Sequence, residues 1–569
     1  MNNYEVWAPN AEAVRLCIDG ATTPLTEGER GWWRSDRTPV AGERYQYQLL
    51  RDGEWSIPLP DPRSRRQPAG IHGPSAVVAD DFCWTDGAYP GRELRGAVLY
   101  ELHVGTFSPE GTFDGVIDRL DHLADLGVNA IELMPVQPFG GQRNWGYDGV
   151  DWFAVHEAYG GPEGLKRLVD AAHGRGIGVV LDVVYNHFGA DGNYAGFFGP
   201  YTAGGATGWG EVVNVSGASS DEVRAYILDA VRQWLAEFHI DGLRLDAVHA
   251  IDDRLAVSLF EELADVAAEV SAATGVPRLL IAESDLNDPR LIAAREDGGY
   301  GLTGQWVDDV HHGIHTLVSG ETDGYYSDYG TLDVLAYTLR HGWRFNNDYS
   351  EFRARHHGRP LDLERTPAWR LVTYTTTHDQ TGNRAAGDRP SQHLSPTKLV
   401  LKAALVLTSP YTPMLFMGEE FAAQTPFPFF CSHTSDELNT ATREGRIEEF
   451  QAMGWEPSSV PDPSDPATFA SAKLDWEFSS EQRRVLDAYR RLISLRGELA
   501  IPETFLDWEV SHGEGWLVLS APTYRVLANL SDSPCRLDVG GRLLYAFDAP
   551  EVTEHDALLG PWEFAIVAR

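Results

Sequence analysis

Cysteine is scarce in this chain. Cys17, Cys83, Cys431 and Cys535 are four in 569 residues, stand far apart and form no Cys-x-x-Cys pair. That excludes a cysteine zinc site and a disulfide scaffold, and a reducing cytosol is the expected home. Positive charge is also short: 46 Lys and Arg face 84 Asp and Glu, a net charge of −38. Phosphate-backbone binding needs clustered bases, so nucleic acid is not an expected partner, and a neutral ligand such as a sugar fits better. No apolar run is long enough to cross a membrane. The longest, Leu399 to Met417, is broken by Lys402, Pro410 and Pro413 and reads as a helix, a turn and a strand. The opening residues, Met1-Asn-Asn-Tyr-Glu-Val6, lack the basic and apolar regions of a secretory signal. Low-complexity segments are absent as well.

What is present is core-forming material, 43% hydrophobic, in a chain too long for one simple domain. Residues 1–88 alternate short apolar runs (Tyr4-Glu-Val-Trp-Ala8, Val14-Arg-Leu-Cys-Ile18) with Asp19-Gly20 and Asp52-Gly53 turns, which predicts a small β-sandwich. A Pro-, Arg- and Gly-rich loop follows, Pro58 to Pro74. From 95 to 500, strands and helices alternate. The expected strands start at Ala97, Val128, Ile177, Gly242, Leu279, Gly304, Leu371 and Met414, and helices are expected over Asp114–Leu126, Leu165–His173, Asp221–Phe238 and Arg254–Ala273. Eight β/α repeats predict an α/β fold, a TIM (β/α)8 barrel with inserted loops. Residues 503–569 return to short strands, an all-β C-terminal domain.

Three acids end three of these strands: Asp246 in Asp241-Gly-Leu-Arg-Leu-Asp246, Glu283 in Ile281-Ala-Glu283, and Asp379 in Thr377-His-Asp379. Any one of them could merely cap a helix. Together they mark one site, because a barrel places its chemistry at the C-terminal ends of its strands. Two carboxyls flanking a sugar–sugar bond can cleave it with net retention, one as nucleophile and one as proton donor, when they lie about 5–5.5 Å apart. Arg244, two residues before Asp246, points the same way on a strand, and its charge would favour an ionised nucleophile.

Four stretches in order, Asp182-Val-Val-Tyr-Asn-His187, Gly242-Leu-Arg-Leu-Asp246, Ala282-Glu283 and His378-Asp379, resemble the signature regions of the α-amylase glycoside hydrolase family. The resemblance spans the chain, since that family often carries an N-terminal β-sandwich of the carbohydrate-module type and a C-terminal β domain. It implies that Asp246 is the nucleophile, that Glu283 protonates the leaving oxygen and then activates water, and that Asp379 stabilises the transition state. It further implies that Arg244 orients Asp246, that His187 and His378 bond sugar hydroxyls, and that Tyr147, in Asn144-Trp-Gly-Tyr-Asp148, stacks under the ring. Asn186 is a calcium ligand in many members, but the loop after it offers no clear acidic partner set, so neither a metal nor a cofactor is expected.

Further stretches, among them Asp61-Pro-Arg-Ser-Arg-Arg-Gln-Pro68, Leu245-Asp-Ala-Val-His-Ala250, His378-Asp-Gln-Thr-Gly-Asn383 and Phe416-Met-Gly-Glu-Glu-Phe421, resemble the branch of that family that hydrolyses the α-1,4 bond beside a terminal trehalose. Such a branch works beside a maltooligosyltrehalose synthase, which makes the trehalose end. Asp148, His249, Asp308, Asp309, His311, His312, Gln380 and Asn383 join the expected substrate contacts. The Asp308–His312 group is read as the end of the sixth strand, facing the rim. Trp209, Tyr325, Tyr326 and Phe427 to Phe430 are the loop rings that could shape a trehalose pocket. One departure is that no Asp precedes His433 where one is expected. A glucan branching or debranching enzyme and a non-enzymatic glucan-binding barrel are the alternatives, and the intact acids argue against the last.

Overall fold

The computed structural model describes residues 4–79, 81–206, 210–452 and 459–569. Eight parallel strands close into a barrel: β1 Leu99–Leu102, β2 Ala130–Leu133, β3 Gly178–Val183, β4 Gly242–Leu245, β5 Leu279–Ala282, β6 Gly304–Trp306, β7 Leu371–Tyr374 and β8 Thr412–Phe416, with β8 pairing back to β1. Side chains alternate in and out along each strand. Leu99, Ala130, Val180, Leu279, Ile281, Val372 and Met414 pack together inside the barrel. Two residues along the same faces, toward the C-terminal ends, come Glu101, Glu132, Asp182 and Arg244. The barrel is therefore apolar low down and charged at the end where its site opens. At Gly242 an added Cβ would lie 2.6 Å from the Leu279 Cβ, so β4 and β5 can approach this closely only without a side chain there.

Three expected elements differ. The helix over Asp114–Leu126 is two helices, Phe113–Ile117 and Leu120–Leu126, closed by Gly127 at φ 94°. The helix expected from Arg254 begins at Leu259, where Ser258 and Glu261 form a capping box and fix the start. The sixth strand stops at Trp306, and Asp308–Ser319 is a helix, α1. Asp308 and Asp309 sit in its first turn, where negative charge suits the helix N-terminus, and Val310, Ile314 and Val318 recur at helical spacing on its buried face.

Ahead of the barrel, a three-stranded sheet and a second sheet built on Ala13–Ile18 and Arg44–Arg51 share one core. Asp19 and Gly20 both have positive φ, as do Asp52 and Gly53, which is what tight hairpin turns require. The arginine loop fastens these sheets to the barrel's helices. Arg63 pairs with Asp229 at 2.8 Å, Arg65 with Glu237, and Arg66 with Glu157 at 2.8 Å and Glu163 at 3.0 Å. After the barrel come a five-stranded and a three-stranded antiparallel sheet, anchored where the Tyr524 hydroxyl donates to the Thr408 carbonyl at 2.6 Å. Among the described residues no helix is long and apolar enough to cross a membrane.

Candidate active site

A cavity of about 260 Å3 opens at the C-terminal ends of the strands, and Asp246, Glu283 and Asp379 all line it. Asp246 and Glu283 directly follow β4 and β5. Asp379 stands differently. It lies in the first turn of a short helix, α2 (His378–Gly382), started by a capping box between Thr377 and Gln380.

Arg244 ties the first two acids together. Its Nη1 donates to Asp246 Oδ1 at 2.6 Å and to both Asp182 oxygens at 2.9 and 3.0 Å, and its Nη2 lies 3.6 Å from Glu283 Oε2. Its guanidinium also lies 4.4 Å from the centre of the Trp306 ring. The second Asp246 oxygen accepts from Asn186 Nδ2 at 2.8 Å. Directly after Asp246, Ala247 takes a left-handed conformation, φ 40°, unfavourable for a residue with a Cβ. That turn accompanies a 2.6 Å hydrogen bond from the Ala247 N–H to Glu283 Oε2. Burial, with the Asp246, Asp379 and Asp308 carboxylates beside it and against the pull of Arg244, pushes the Glu283 carboxyl up to about 8.

In the same cavity, the Tyr147 ring stacks on His378 with centroids 5.1 Å apart, and its hydroxyl donates to Asp182 at 2.6 Å. Burial alone would lower His378, but Asp379 and Glu101 raise it to about 9, with Glu101 bonded to Nδ1 and Asp379 3.5 Å from Nε2. His187 lines the cavity with both ring nitrogens already against protein acceptors, the Tyr147 carbonyl at 2.9 Å and Asn186 Oδ1 at 2.5 Å. Its ring has no free nitrogen for a sugar hydroxyl, contrary to the expected direct contact. His249 and Asn383 line the cavity too, and Asn383 donates to Asp379 at 3.2 Å.

Other expected contacts are not brought to this cavity. Asp148 is buried, accepts from Asn144 Nδ2 at 2.7 Å and lies 3.9 Å from His433. Gln380 is spent on the Thr377 backbone and on Asp308. Asp308 takes the Tyr374 hydroxyl as well, and burial raises it to about 6. Asp309 accepts from Asn287 at 2.8 Å and from Tyr329. His311 sits 2.6 Å from the Thr375 carbonyl and 3.1 Å from the Tyr326 hydroxyl. His312 is buried among Tyr325, Tyr326 and Tyr329. These residues were expected at a strand end, but helix α1 turns Asp309, His311 and His312 into packing. Phe427 and Phe430 are fully buried, Phe427 stacking on the back of Trp145 at 5.2 Å. Trp209 lies outside the described residues. Sequence reasoning missed Trp145 as part of the wall and assigned Asn186 no role, whereas it is a donor to Asp246. Also missed were Phe352, half-exposed with its ring centre 6.4 Å from that of Tyr325, and Leu286, an exposed apolar residue three positions after Glu283.

Residues 76–196 match the alpha amylase catalytic domain family. Over its full length the chain is 48% identical to the malto-oligosyltrehalose trehalohydrolase of Mycobacterium tuberculosis, covering 99% of that protein. It is 50% identical to the enzyme of the same name from Rhizobium sp. strain M-11, over 96% of this chain and 94% of that one. A solved Salmonella typhimurium structure described as an alpha amylase superposes with a TM-score of 0.90 at 35% identity, covering all of this chain and 97% of that one. With its barrel, its flanking β domains and its Asp246–Arg244–Glu283 arrangement, the chain belongs to the malto-oligosyltrehalose trehalohydrolase family of the α-amylase glycoside hydrolases.

Proposed function

We infer that this protein hydrolyses the α-1,4-glucosidic bond next to the terminal trehalose of maltooligosyl trehalose, releasing trehalose and a shortened maltooligosaccharide. The observation that carries the chemistry is the shared Arg244 contact of Asp246 and Glu283, with Glu283 held protonated at neutral pH. In the first step Asp246 attacks the anomeric carbon while Glu283 gives its proton to the leaving trehalose oxygen. The C–O bond breaks and a glycosyl–Asp246 ester forms. Esterification removes the Asp246 charge, one of the groups holding Glu283 up, so Glu283 becomes more acidic and remains ionised. It can then take a proton from water as the hydroxyl attacks the same carbon and frees Asp246. Asp379 and the charged His378 beside it face the charge that develops on the ring and bind its hydroxyls. Tyr147 offers the flat wall. Arg244, Asn186 and, through Asn186, His187 hold Asp246 in place. Asp148, Gln380, Asp308, Asp309, His311 and His312 support the walls rather than the sugar.

Selection for trehalose requires a shaped surface beyond the cleaved bond, and a site that bonds particular hydroxyls can reject analogues lacking them. Tyr325, its neighbour Phe352 and Leu286, three residues after Glu283 in the chain, are the rings and apolar surface we assign to it. A separate synthase that builds the trehalose end supplies the substrate, and four free cysteines suit the reducing cytoplasm for both.

A branching transferase would use the same acids with a sugar hydroxyl as acceptor in place of water. Product analysis on maltooligosyl trehalose, beside plain maltooligosaccharide of equal length, separates the readings. Rapid release of free trehalose with slow attack on the plain chain is the expected result. Equal cleavage of both makes this a general α-glucan hydrolase, and new α-1,6 branches without net hydrolysis make it a branching enzyme.

A further inference from the structure

A (β/α)8 barrel carries a helix after each strand, but the fifth repeat here does not. Between β5 and β6 the chain forms no α-helix, only two short 3-10 turns, Pro289–Leu291 and Arg295–Asp297. A pocket of about 390 Å3, larger than the catalytic cavity, opens between this stretch and the loop 359–370 that leads into β7. Small residues leave the room: Ala293, Ala294, Gly298 and Gly299 form one wall. At Gly299 an added Cβ would lie 2.2 Å from the Ala293 carbonyl oxygen, so no side chain can enter there.

Four arginines line this pocket, in a chain whose net charge is −38. Two of them are paired: Arg290 Nε donates to Asp288 at 2.9 Å, and Arg365 Nη1 to Asp297 at 2.6 Å. Asp362, the other acid of the lining, accepts from the Glu364 and Arg365 backbone N–H groups at 3.1 and 3.2 Å and lies 4.0 Å from Arg365 Nε. Among the described residues neither Arg359 nor Arg370 has a carboxylate within 4.0 Å. Arg359 is exposed, and its guanidinium has no hydrogen-bond partner either. Arg370 is half-buried and fixed along one edge. Its Nη1 donates to the Leu302 carbonyl at 2.9 Å and to the Ile292 and Thr303 carbonyls at 3.3 Å, and the Trp369 ring centre lies 5.2 Å away. Its Nε and Nη2 have no protein partner and stay open to water. Burial lowers Arg370, and no neighbouring acid offsets that effect. A guanidinium held by one edge, with the other turned to open space, is a preorganised contact for an anion.

We propose that this pocket binds a small phosphorylated sugar, its phosphate on Arg359 and the open edge of Arg370 and its hydroxyls on Asp297, Asp362 and Thr366. A phosphate monoester carries about two negative charges at neutral pH, which matches two unpaired guanidinium groups where a carboxylate would match one. The volume falls within the range of small-molecule sites, about 300–1,000 Å3, and leaves room for a sugar ring beyond the phosphate. No aromatic side chain lines the pocket, so nothing is placed to stack on the base of a nucleotide. The site shares no residue with the catalytic cavity, yet its wall begins six residues after Glu283, and the Arg359 N–H donates to the Asn287 carbonyl at 3.1 Å. An occupant would therefore brace the loop that follows the general acid.

Calorimetric titration of the full-length protein with glucose 6-phosphate, in a buffer free of phosphate, tests this. Binding with a Kd on the order of 1 mM or tighter is expected, with no heat from glucose and inorganic phosphate about tenfold weaker. Arg359→Glu changes an exposed side chain that holds nothing in place, and it should weaken glucose 6-phosphate about tenfold or more. In Asp246→Asn, which cannot hydrolyse it, saturating maltotriose should fill the catalytic cleft without displacing the sugar phosphate. Absence of binding to the wild type, inorganic phosphate binding as tightly as the sugar phosphate, or unchanged binding to Arg359→Glu would each overturn the proposal. Displacement by maltotriose would move the ligand to the catalytic cleft and overturn it as well.

Discussion

Two acid groups stand side by side at the open end of the barrel and meet opposite fates. At the ends of β4 and β5, Asp246 and Glu283 share Arg244 and keep a face toward a 260 Å3 cavity. After β6, Asp308 and Asp309 are just as acidic and just as near a strand end, yet Asp309 has one oxygen taken by Asn287 and the other by Tyr329, and Tyr374 and Gln380 share one oxygen of Asp308. A carboxyl is available for chemistry when it lines open space: Asp246 has a partner at each oxygen and still lines the cavity, whereas Asp308 and Asp309 do not line it. Nearness to a strand end does not secure that. The geometry after the strand does: a left-handed Ala247 accompanies the first pair at the cavity, and a helix beginning at Asp308 turns Asp309 inward.

The sharpest break between the two groups should come at Asp246. Asp246→Asn keeps the shape and the Asn186 and Arg244 neighbours but removes the nucleophile, and kcat is expected to fall on the order of 10^4-fold or more. Retained hydrolysis with the same retained stereochemistry would overturn the mechanism. Next in size, Glu283→Gln should cost about 10^2 to 10^4-fold. This acid works in its protonated form and is raised to about 8, so wild-type kcat/KM should hold level on the acid side of that value and fall about tenfold per pH unit above it. The residual activity of Glu283→Gln should lack that basic limb. A limb that stays in the variant would assign it to another group, with His378, raised to about 9, the next candidate.

The contrast also shows where sequence stopped being informative. The barrel, the flanking β domains and the three acids were legible because their signals are local: apolar runs of strand length, Asp-Gly turns, and an acid at the end of a run. Arg244 beneath Asp246 followed from the two-residue period of a strand. The inward turn of Asp309, His311 and His312 was misread, although Val310, Ile314 and Val318 already carried a helical period. Two acids and two histidines drew attention to their chemistry instead. Asn186 and Phe352 were beyond reach for another reason. Their roles depend on partners far along the chain, Asp246 and Tyr325, and no local pattern reports those. The engaged nitrogens of His187 belong to the same class, since one of its partners is the backbone carbonyl of Tyr147.

A smaller effect should sharpen the comparison on the side of the substrate. Phe352→Ala removes a half-exposed ring that lies against Tyr325 and Arg353, so attack on plain maltooligosaccharide should change little. The preference for maltooligosyl trehalose over the plain chain is expected to drop about tenfold, read as a ratio of kcat/KM values. A parallel loss on both substrates would show instead that Phe352 supports the common chemistry.

The least effect on activity should come from the acid most like Asp246 in sequence position and least like it in surroundings. Asp309 is 5% exposed and receives hydrogen bonds from Asn287 Nδ2 and the Tyr329 hydroxyl. Asp309→Asn turns one acceptor into a donor. If the new amide group faces Asn287, two N–H groups oppose each other; if it faces Tyr329, the hydroxyl must reverse. Either arrangement leaves a buried polar group unmatched at about 1–3 kcal/mol. Thermal unfolding should therefore come about 1–3 °C earlier, while kcat/KM on maltooligosyl trehalose stays within about threefold of wild type. The opposite pattern, a hundredfold loss of kcat/KM with an unmoved melting temperature, would return Asp309 to the substrate and erase the distinction between the two acid groups.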